Sequence, residues 1–129
     1  MSFFESEVER LDKLLYSNKA QLDTVKGVKN YIDHNFEQEV NLAVLAQSKF
    51  VSKYHLLRLF KQYYGQTPKQ YLTDKRMEKA KEYLKKGMTV TETCFAVGFK
   101  SLGSFSALFK RRNGISPIEF QKEQLSRSN

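Results

Sequence analysis

One stretch of seventeen residues occurs twice in this chain of 129, and that repetition constrains the fold more than any single motif does. Residues 52–68 read SKYHLLRLFKQYYGQTP and residues 101–117 read SLGSFSALFKRRNGISP, a constant offset of 49. Ser52/Ser101, Leu59/Leu108, Phe60/Phe109, Lys61/Lys110, Gly65/Gly114 and Pro68/Pro117 are identical, and Leu56/Phe105, Thr67/Ser116 and Tyr71/Phe120 are similar. An internal repeat reports architecture directly, because it means one local unit built twice. Each copy opens on a serine suited to an N-cap and closes on a glycine suited to a left-handed C-terminal stop. A hydroxyl and proline then start another helix.

Hydrophobic spacing predicts the neighbouring elements. A helix over 24–35, capped by Asp23 or Thr24, turns Val28, Tyr31 and Ile32 inward. A short helix from Asn41 buries Leu42, Leu45 and Ala46, and residues 49–52 make the turn into the helix that Ser52 caps. Thr67 and Pro68 open a longer helix that ends at Gly87, with Lys85 and Lys86 at the negative end of its dipole. At ~1.5 Å per residue it spans roughly 28 Å, near the ~34 Å of one duplex turn. Thr89 and Glu92 have capping-box spacing, ahead of an inner stripe of Val90, Cys94 and Val97. Here the pairs Leu42/Val90, Ala46/Cys94 and Val51/Phe99 align at an offset of 48, so the second turn is one residue longer than the first. A helix from Ser101 stops at Gly114, and Ser116, Pro117 and Glu119 start the last one, whose end, 124–129, is expected to fray. Residues 2–18 predict a separate amphipathic helix, with Ser2 and Glu5 as a capping box and Phe4, Val8, Leu11 and Leu15 on one face.

No stretch alternates, so the expected fold is all-α. It consists of two helix-turn-helix units, 25–67 and 88–123, joined by a linker helix over 68–87, with an extra N-terminal helix in a leader over 1–24. Apolar residues make up 40% of the chain and no run approaches a membrane span. The opening MSFFESEVER is acidic and lacks an apolar core, so no signal peptide is expected. The single cysteine, Cys94, excludes an internal disulfide framework and fits a reducing, cytoplasmic setting. Net charge is +8; residues 1–24 hold five acids against three bases, so the remainder carries +10. A basic body behind an acidic leader points to an anionic polymer as partner.

The outer face of the first repeated helix sharpens that expectation. Tyr54, Leu57, Arg58 and Lys61 recur at i, i+3, i+4 and i+7, opposite a core face of His55, Leu56, Leu59, Phe60 and Tyr63. Tyr and Leu beside two cations make an odd solvent face and a sensible major-groove face. Arginine can pair with guanine O6 and N7, apolar groups can touch thymine methyls, and lysine can meet phosphate. Ser52 at the helix start can offer its hydroxyl and backbone N–H to a phosphate. The same face of the second copy is small: Gly103, Ser106, Ala107 and Lys110. Lys100 and Ser104 lie near its start, and Arg111 and Arg112 add charge at its end. The expected division of labour is base reading by the first helix and close approach with backbone and shape contacts by the second.

Three segments carry a resemblance: HLLRLFKQYYGQTPKQYL (55–72), RMEKAKEYL (76–84) and VGFKSLGSFSALFKRRNGISPIEF (97–120). Over residues 25–123 the chain resembles the DNA-binding domain of the AraC/XylS family of bacterial transcription regulators. The resemblance implies a seven-helix domain that inserts its two helix-turn-helix units in successive major grooves of double-stranded DNA. It also implies activation of transcription by contact with RNA polymerase. By motif position it places DNA contacts at Ser52, Lys53, Tyr54, Leu57 and Arg58, and at Ser101, Leu102, Gly103, Ser104 and Ala107; Lys61, Lys100, Lys110 and Arg111 add basic contacts. The chain departs from the family pattern at Ala107, at Leu102 and Gly103, at Thr93 and Cys94 where Ile and Ala are usual, and at Phe50, where the turn often has Gly.

The leader is too short for a ligand-binding barrel. The chain reads either as a stand-alone regulator or as the DNA-binding fragment of a larger effector-responsive one. It is expected to be a monomer, or a dimer through residues 2–18. Two other function classes fit less well. An enzyme needs convergent titratable groups, yet His34 and His55 have no acid at catalytic spacing, Cys94 sits on an apolar stripe, and no metal or cofactor motif is present. A helical adaptor draws support only from the leader, with Phe4, Leu14 and Leu15, and leaves Arg58 and Lys61 unexplained.

Overall fold

The structure, a computed structural model, describes the backbone of residues 3–128 and the side chains of residues 6–127 except Tyr16. Seven helices follow in order: α1 Phe3–Asn35, α2 Leu42–Ser48, α3 Lys53–Tyr64, α4 Pro68–Lys85, α5 Val90–Ala96, α6 Leu102–Asn113 and α7 Pro117–Ser128. No strand occurs among the described residues. The all-α expectation therefore holds, with three corrections to helix boundaries and packing.

The leader and the first helix are one. Residues 2–18 and 24–35 were expected as separate helices, but α1 runs unbroken for 33 residues. The intervening residues, Lys19 to Asp23, contain neither proline nor glycine, so nothing stops the helix there. Thr24, expected as a cap, instead donates its hydroxyl to the Ala20 carbonyl at 2.9 Å, a bond made inside a helix. The capping box expected at Ser2 and Glu5 lies outside the described residues. Within α1, Val25, Val28 and Ile32 are buried, whereas Tyr31, expected inward, is exposed. At the other end α7 stays helical through Ser128, where fraying was expected from 124, because Gln121 holds the helix in place. Its buried amide donates to the carbonyls of Leu84 (3.0 Å) and Met88 (2.6 Å), at the end of α4 and just beyond. The Leu84 carbonyl also accepts the Gly87 N–H at 3.1 Å, as the last turn of α4 closes.

The chain forms two compact units. The first comprises Met1–Ile32 and Asn41–Pro68. Its buried residues are Val25, Val28 and Ile32 of α1, Leu45 and Ala46 of α2, and Leu56, Leu59 and Phe60 of α3. The second comprises Asp33–Val40 and Lys69–Asn129. Its core joins Phe36, Met77, Ala80, Leu84, Cys94, Val97, Phe105, Phe109 and Phe120. A run of tilted rings, Phe99–Phe105–Phe109–Phe120, steps through it at 5.3, 6.0 and 5.5 Å. Such offsets suit the aromatic quadrupole better than stacking face to face.

Capping follows the sequence closely. Asn41, Ser52, Thr89 and Ser101 each accept the N–H of the residue three further on. Ser116 and Glu119 form a reciprocal capping box ahead of α7. Gly65 and Gly114 end α3 and α6 in the left-handed conformation.

The two helix-turn-helix turns differ. In the second unit Gly98 has φ +103°, and a Cβ there would lie 2.9 Å from the Glu37 carbonyl oxygen and 3.0 Å from the Arg76 guanidinium. Arg76 donates to the carbonyls of Phe36 (2.7 Å) and Gln38 (2.9 Å) and lies over the Phe99 ring. Burial lowers its pKa, and Glu37 pulls the other way. One side chain thus ties α4, the 36–40 connection and the second turn together. In the first unit the left-handed position is Phe50 (φ +58°), which is 96% exposed. Lys49 beside it lies over Gly27 of α1, where a Cβ would come 2.7 Å from its Nζ. The first turn is closed by the backbone N–H groups of Lys49, Phe50 and Val51, which donate to the carbonyls of Ala46, Gln47 and Ala46, and Phe50 adopts a strained conformation with no packing to offset it.

Two stability changes follow. A left-handed non-glycine residue costs ~1–2 kcal/mol, so Phe50→Gly should raise stability by about 0.5–1 kcal/mol after the entropy cost of glycine. Thr93 is fully buried and its Oγ1 has no partner among the described residues. Thr93→Val keeps the shape and removes the stranded hydroxyl, and should stabilise by about 1 kcal/mol. Denaturant midpoints at unchanged slope would check both.

Candidate nucleic-acid interface

Each turn delivers the chain into a helix whose two faces differ sharply. In α3, Leu56, Leu59 and Phe60 are buried, while Ser52, Lys53, Tyr54, Arg58 and Lys61 are exposed. Leu57, expected to be fully outward, is half-buried at the margin of that face. Tyr54 is 81% exposed, so its ring is available to whatever approaches. The Ser52 hydroxyl accepts the His55 N–H at 3.0 Å, which leaves the N–H groups nearer the helix start for an incoming anion. His55, expected in the core, is only half-buried because its ring serves the outer face: Nδ1 lies 3.1 Å from Arg58 Nη2. An imidazole acceptor at i−3 steadies a guanidinium whose planar fork suits a base edge.

In α6, Phe105 and Phe109 are buried and the opposite face is open. Lys100, Ser101, Leu102, Gly103, Ser104, Ala107, Lys110 and Arg111 are exposed, and Ser106 is half-buried. The Ser101 hydroxyl accepts the Ser104 N–H at 3.2 Å. Gly103 stands in open space: a Cβ there would meet nothing nearer than Ser101 Oγ at 3.9 Å. The protein itself therefore does not require a glycine at 103, although glycine inside a helix costs ~1 kcal/mol relative to alanine. Its use fits a face that something must approach closely.

Two of the cations counted for this surface have partners. Lys100 Nζ sits 3.6 Å from Glu39, with both side chains more than 80% exposed, a pairing worth little in water. Arg112 is paired with Asp74. That pair borders a shallow cleft of about 410 Å³ with Met77, Glu78, Lys81 and Asn113. No serine, threonine, cysteine or histidine lines it. Cys94 is buried, and desolvation pushes its thiol up, away from the reactive thiolate. No cluster of metal-ligating side chains occurs among the described residues.

The residues read from sequence thus fall on the exposed face of one helix in each unit. The sequence did not reveal the partners: His55 for Arg58, Glu39 for Lys100, and Arg76 holding the turn before α6. The last had a faint signal, a lone arginine among lysines on α4. Its acceptors, backbone carbonyls some 40 residues away, leave no mark in side-chain pattern.

The model of a helix-turn-helix domain family matches residues 45–123. Among curated proteins, the probable transcriptional regulator LumQ of Photobacterium leiognathi is 31% identical over 122 residues, 94% of this chain and 44% of LumQ. The chain spans about half the length of the curated relatives it matches. Among solved structures, the C-terminal domain of AraT, a response regulator from Geobacillus stearothermophilus, superposes with TM-score 0.73 at 32% identity, covering 78% of this chain and 84% of that domain. The DNA-binding domain of AdpA, a global transcriptional factor solved in complex with a target DNA, shares the fold at TM-score 0.74 and 23% identity, covering 80% of this chain and 94% of that one. Two capped recognition-type helices, each preceded by a seven-residue helix and a tight turn, together with these matches, place the chain in the AraC/XylS family of helix-turn-helix transcription regulators.

Proposed function

We propose that this chain is a sequence-specific regulator of transcription that binds double-stranded DNA through the exposed faces of α3 and α6. The observation that carries the reading is the outer face of α3, where Tyr54, Arg58 and Lys61 stand exposed and an imidazole steadies the arginine. Residues 25–123 form the DNA-binding part, with units 25–67 and 88–123 bridged by 68–87. The two recognition helices enter successive major grooves. Arg58 reads a base edge, Tyr54 and Leu57 add apolar contacts, and Ser52, Lys53 and Lys61 hold the backbone. In the second unit Ser101, Leu102, Gly103, Ser104 and Ala107 form a low-relief surface brought close to the groove. Lys100, Lys110 and Arg111 supply charge to phosphate. The polarity assigned is activation, with RNA polymerase as the protein contact, in the bacterial cytoplasm at the nucleoid. No catalytic role or cofactor is assigned to the chain.

Selection of bound duplexes from a random pool supplies the site, and titrations against its variants test the roles. Arg58→Ala should relax preference at one base pair by ~1–3 kcal/mol, whereas Lys110→Ala should weaken all sequences alike. Equal loss of preference in both variants would remove the division of labour. Gly103→Ala should raise thermal stability yet weaken DNA binding, since the added methyl meets open space in the protein and a groove wall in the complex. The logarithm of the binding constant should fall linearly with log salt, and a flat response would exclude DNA as the partner.

A further inference from the structure

An acidic segment is built against the start of the second recognition helix. Arg76 of α4 donates to the carbonyls of Phe36 and Gln38, and a Cβ at Gly98 would lie 2.9 Å from the Glu37 carbonyl oxygen. The 36–39 backbone is therefore packed on the turn that leads into α6. Glu37 and Glu39 are both exposed there. Glu37 interacts with the Arg76 guanidinium. The Glu39 carboxylate stands 3.6 Å from Lys100 Nζ, and Lys100 directly precedes the Ser101 cap. All of these residues belong to the second compact unit. The first unit has no counterpart: residues 40–73, which include α2 and α3, contain no acid, and residues 25–129 carry +10. A carboxylate held beside a cation suited to phosphate runs against that field.

We infer that Glu39 restrains DNA binding by the second unit, competing with phosphate for Lys100 and repelling the strand that Lys100 approaches. The inference rests on the DNA-binding reading and specifies what limits the strength of that binding at α6. In water the exposed pair is weak, so it does not hold Lys100 away from DNA. Its effect comes when a strand arrives, because the packed 36–39 backbone keeps the carboxylate close by. A phosphate oxygen bonded to Lys100 at ~2.8 Å would stand at most ~6.5 Å from that carboxylate. This is inside the ~8 Å Debye length at physiological ionic strength, so salt screens the repulsion only in part. Lys100 cannot neutralise both anions, and the complex gains one phosphate contact fewer. Phosphate contacts carry no sequence information of their own. The restraint therefore falls on sequence-independent attraction and leaves base reading to α3, whose own stretch of chain has no acid.

The 129-residue chain is titrated over a range of salt against two duplexes, the one selected from the random pool and one of unrelated sequence. One further phosphate neutralised raises affinity about fivefold near 0.15 M salt and steepens the log–log salt slope by ~0.9. Glu39→Gln should therefore bind both duplexes roughly three- to tenfold tighter, with the steeper slope. Thermal midpoints should not move, since both side chains of the pair are more than 80% exposed. Lys100→Ala should cost more in the Glu39→Gln background than in the unchanged chain, and the double variant should bind within about twofold of Lys100→Ala alone. An affinity unchanged by Glu39→Gln would overturn the inference and leave the DNA-binding reading intact, as would a gain that Lys100→Ala does not take back. A gain confined to the selected duplex would assign Glu39 to base recognition instead and overturn it too. Binding that is flat in salt would count against the DNA-binding reading and this inference together.

Discussion

A seven-residue helix cannot stand alone in water, because nucleation fixes several residues for each hydrogen bond gained and two turns cannot recover the cost. Both helix-turn-helix units are built on such helices, α2 and α5. Everything about their surroundings serves to hold them. Asn41 and Thr89 satisfy N–H groups at their starts, and the turns after them are tight. Their buried residues, Leu45 and Ala46 in one and Thr93 and Cys94 in the other, commit one face to a core. Once α2 and α5 are pinned, the following helix has little choice of direction. Its apolar face is drawn into the same core and its remaining face is left outward.

The two copies meet this demand by different means, and the difference bears on function. The second unit ties its turn to α4 with a half-buried arginine, a glycine and an aromatic ring. Its recognition helix is correspondingly plain, with small side chains on a firmly held frame. The first unit closes its turn with the corresponding backbone hydrogen bonds and carries a strained, exposed Phe50 at the left-handed position. Its recognition helix carries the large and charged side chains. The two copies of the repeat thus differ both in the residue at the left-handed turn position, Phe50 against Gly98, and in the size of the side chains on the outer helix face.

Helix α1 belongs to two stories at once. Its second half supplies Val25, Val28 and Ile32 to the first unit, and its last residues pass to the second unit with the 36–40 connection. Its first half is anchored but uncovered. The continuity matters physically: an isolated helix of that length would fray, while one nucleated by a folded domain extends at about one hydrogen bond per residue added. That makes the leader a continuous helical extension of the first unit.

Most of the secondary structure was legible because it rests on local chemistry. Serine, threonine and asparagine caps, left-handed glycines and proline after a hydroxyl act within four residues of themselves, so the starts of α2 to α7 and the glycine stops of α3, α4 and α6 could be read directly, and the repeat made several of these readings twice. The absence of a breaker between Lys19 and Asp23 was equally local, and was overridden in the reading by capping residues at 23 and 24 that the helix passes through. Which residues face outward was legible in kind, since Tyr54, Arg58 and Lys61 are exposed where the helical period placed them. The tertiary structure alone decided the rest: that Tyr31 faces out, that His55 turns to Arg58, that Gln121 closes the end of α4, and that Arg76 holds a turn through the backbone of a distant segment. Those are contacts between residues far apart in the chain, or choices between faces of nearly equal hydrophobicity. No pattern of period 3.6 can specify them, because they are set by which surfaces meet.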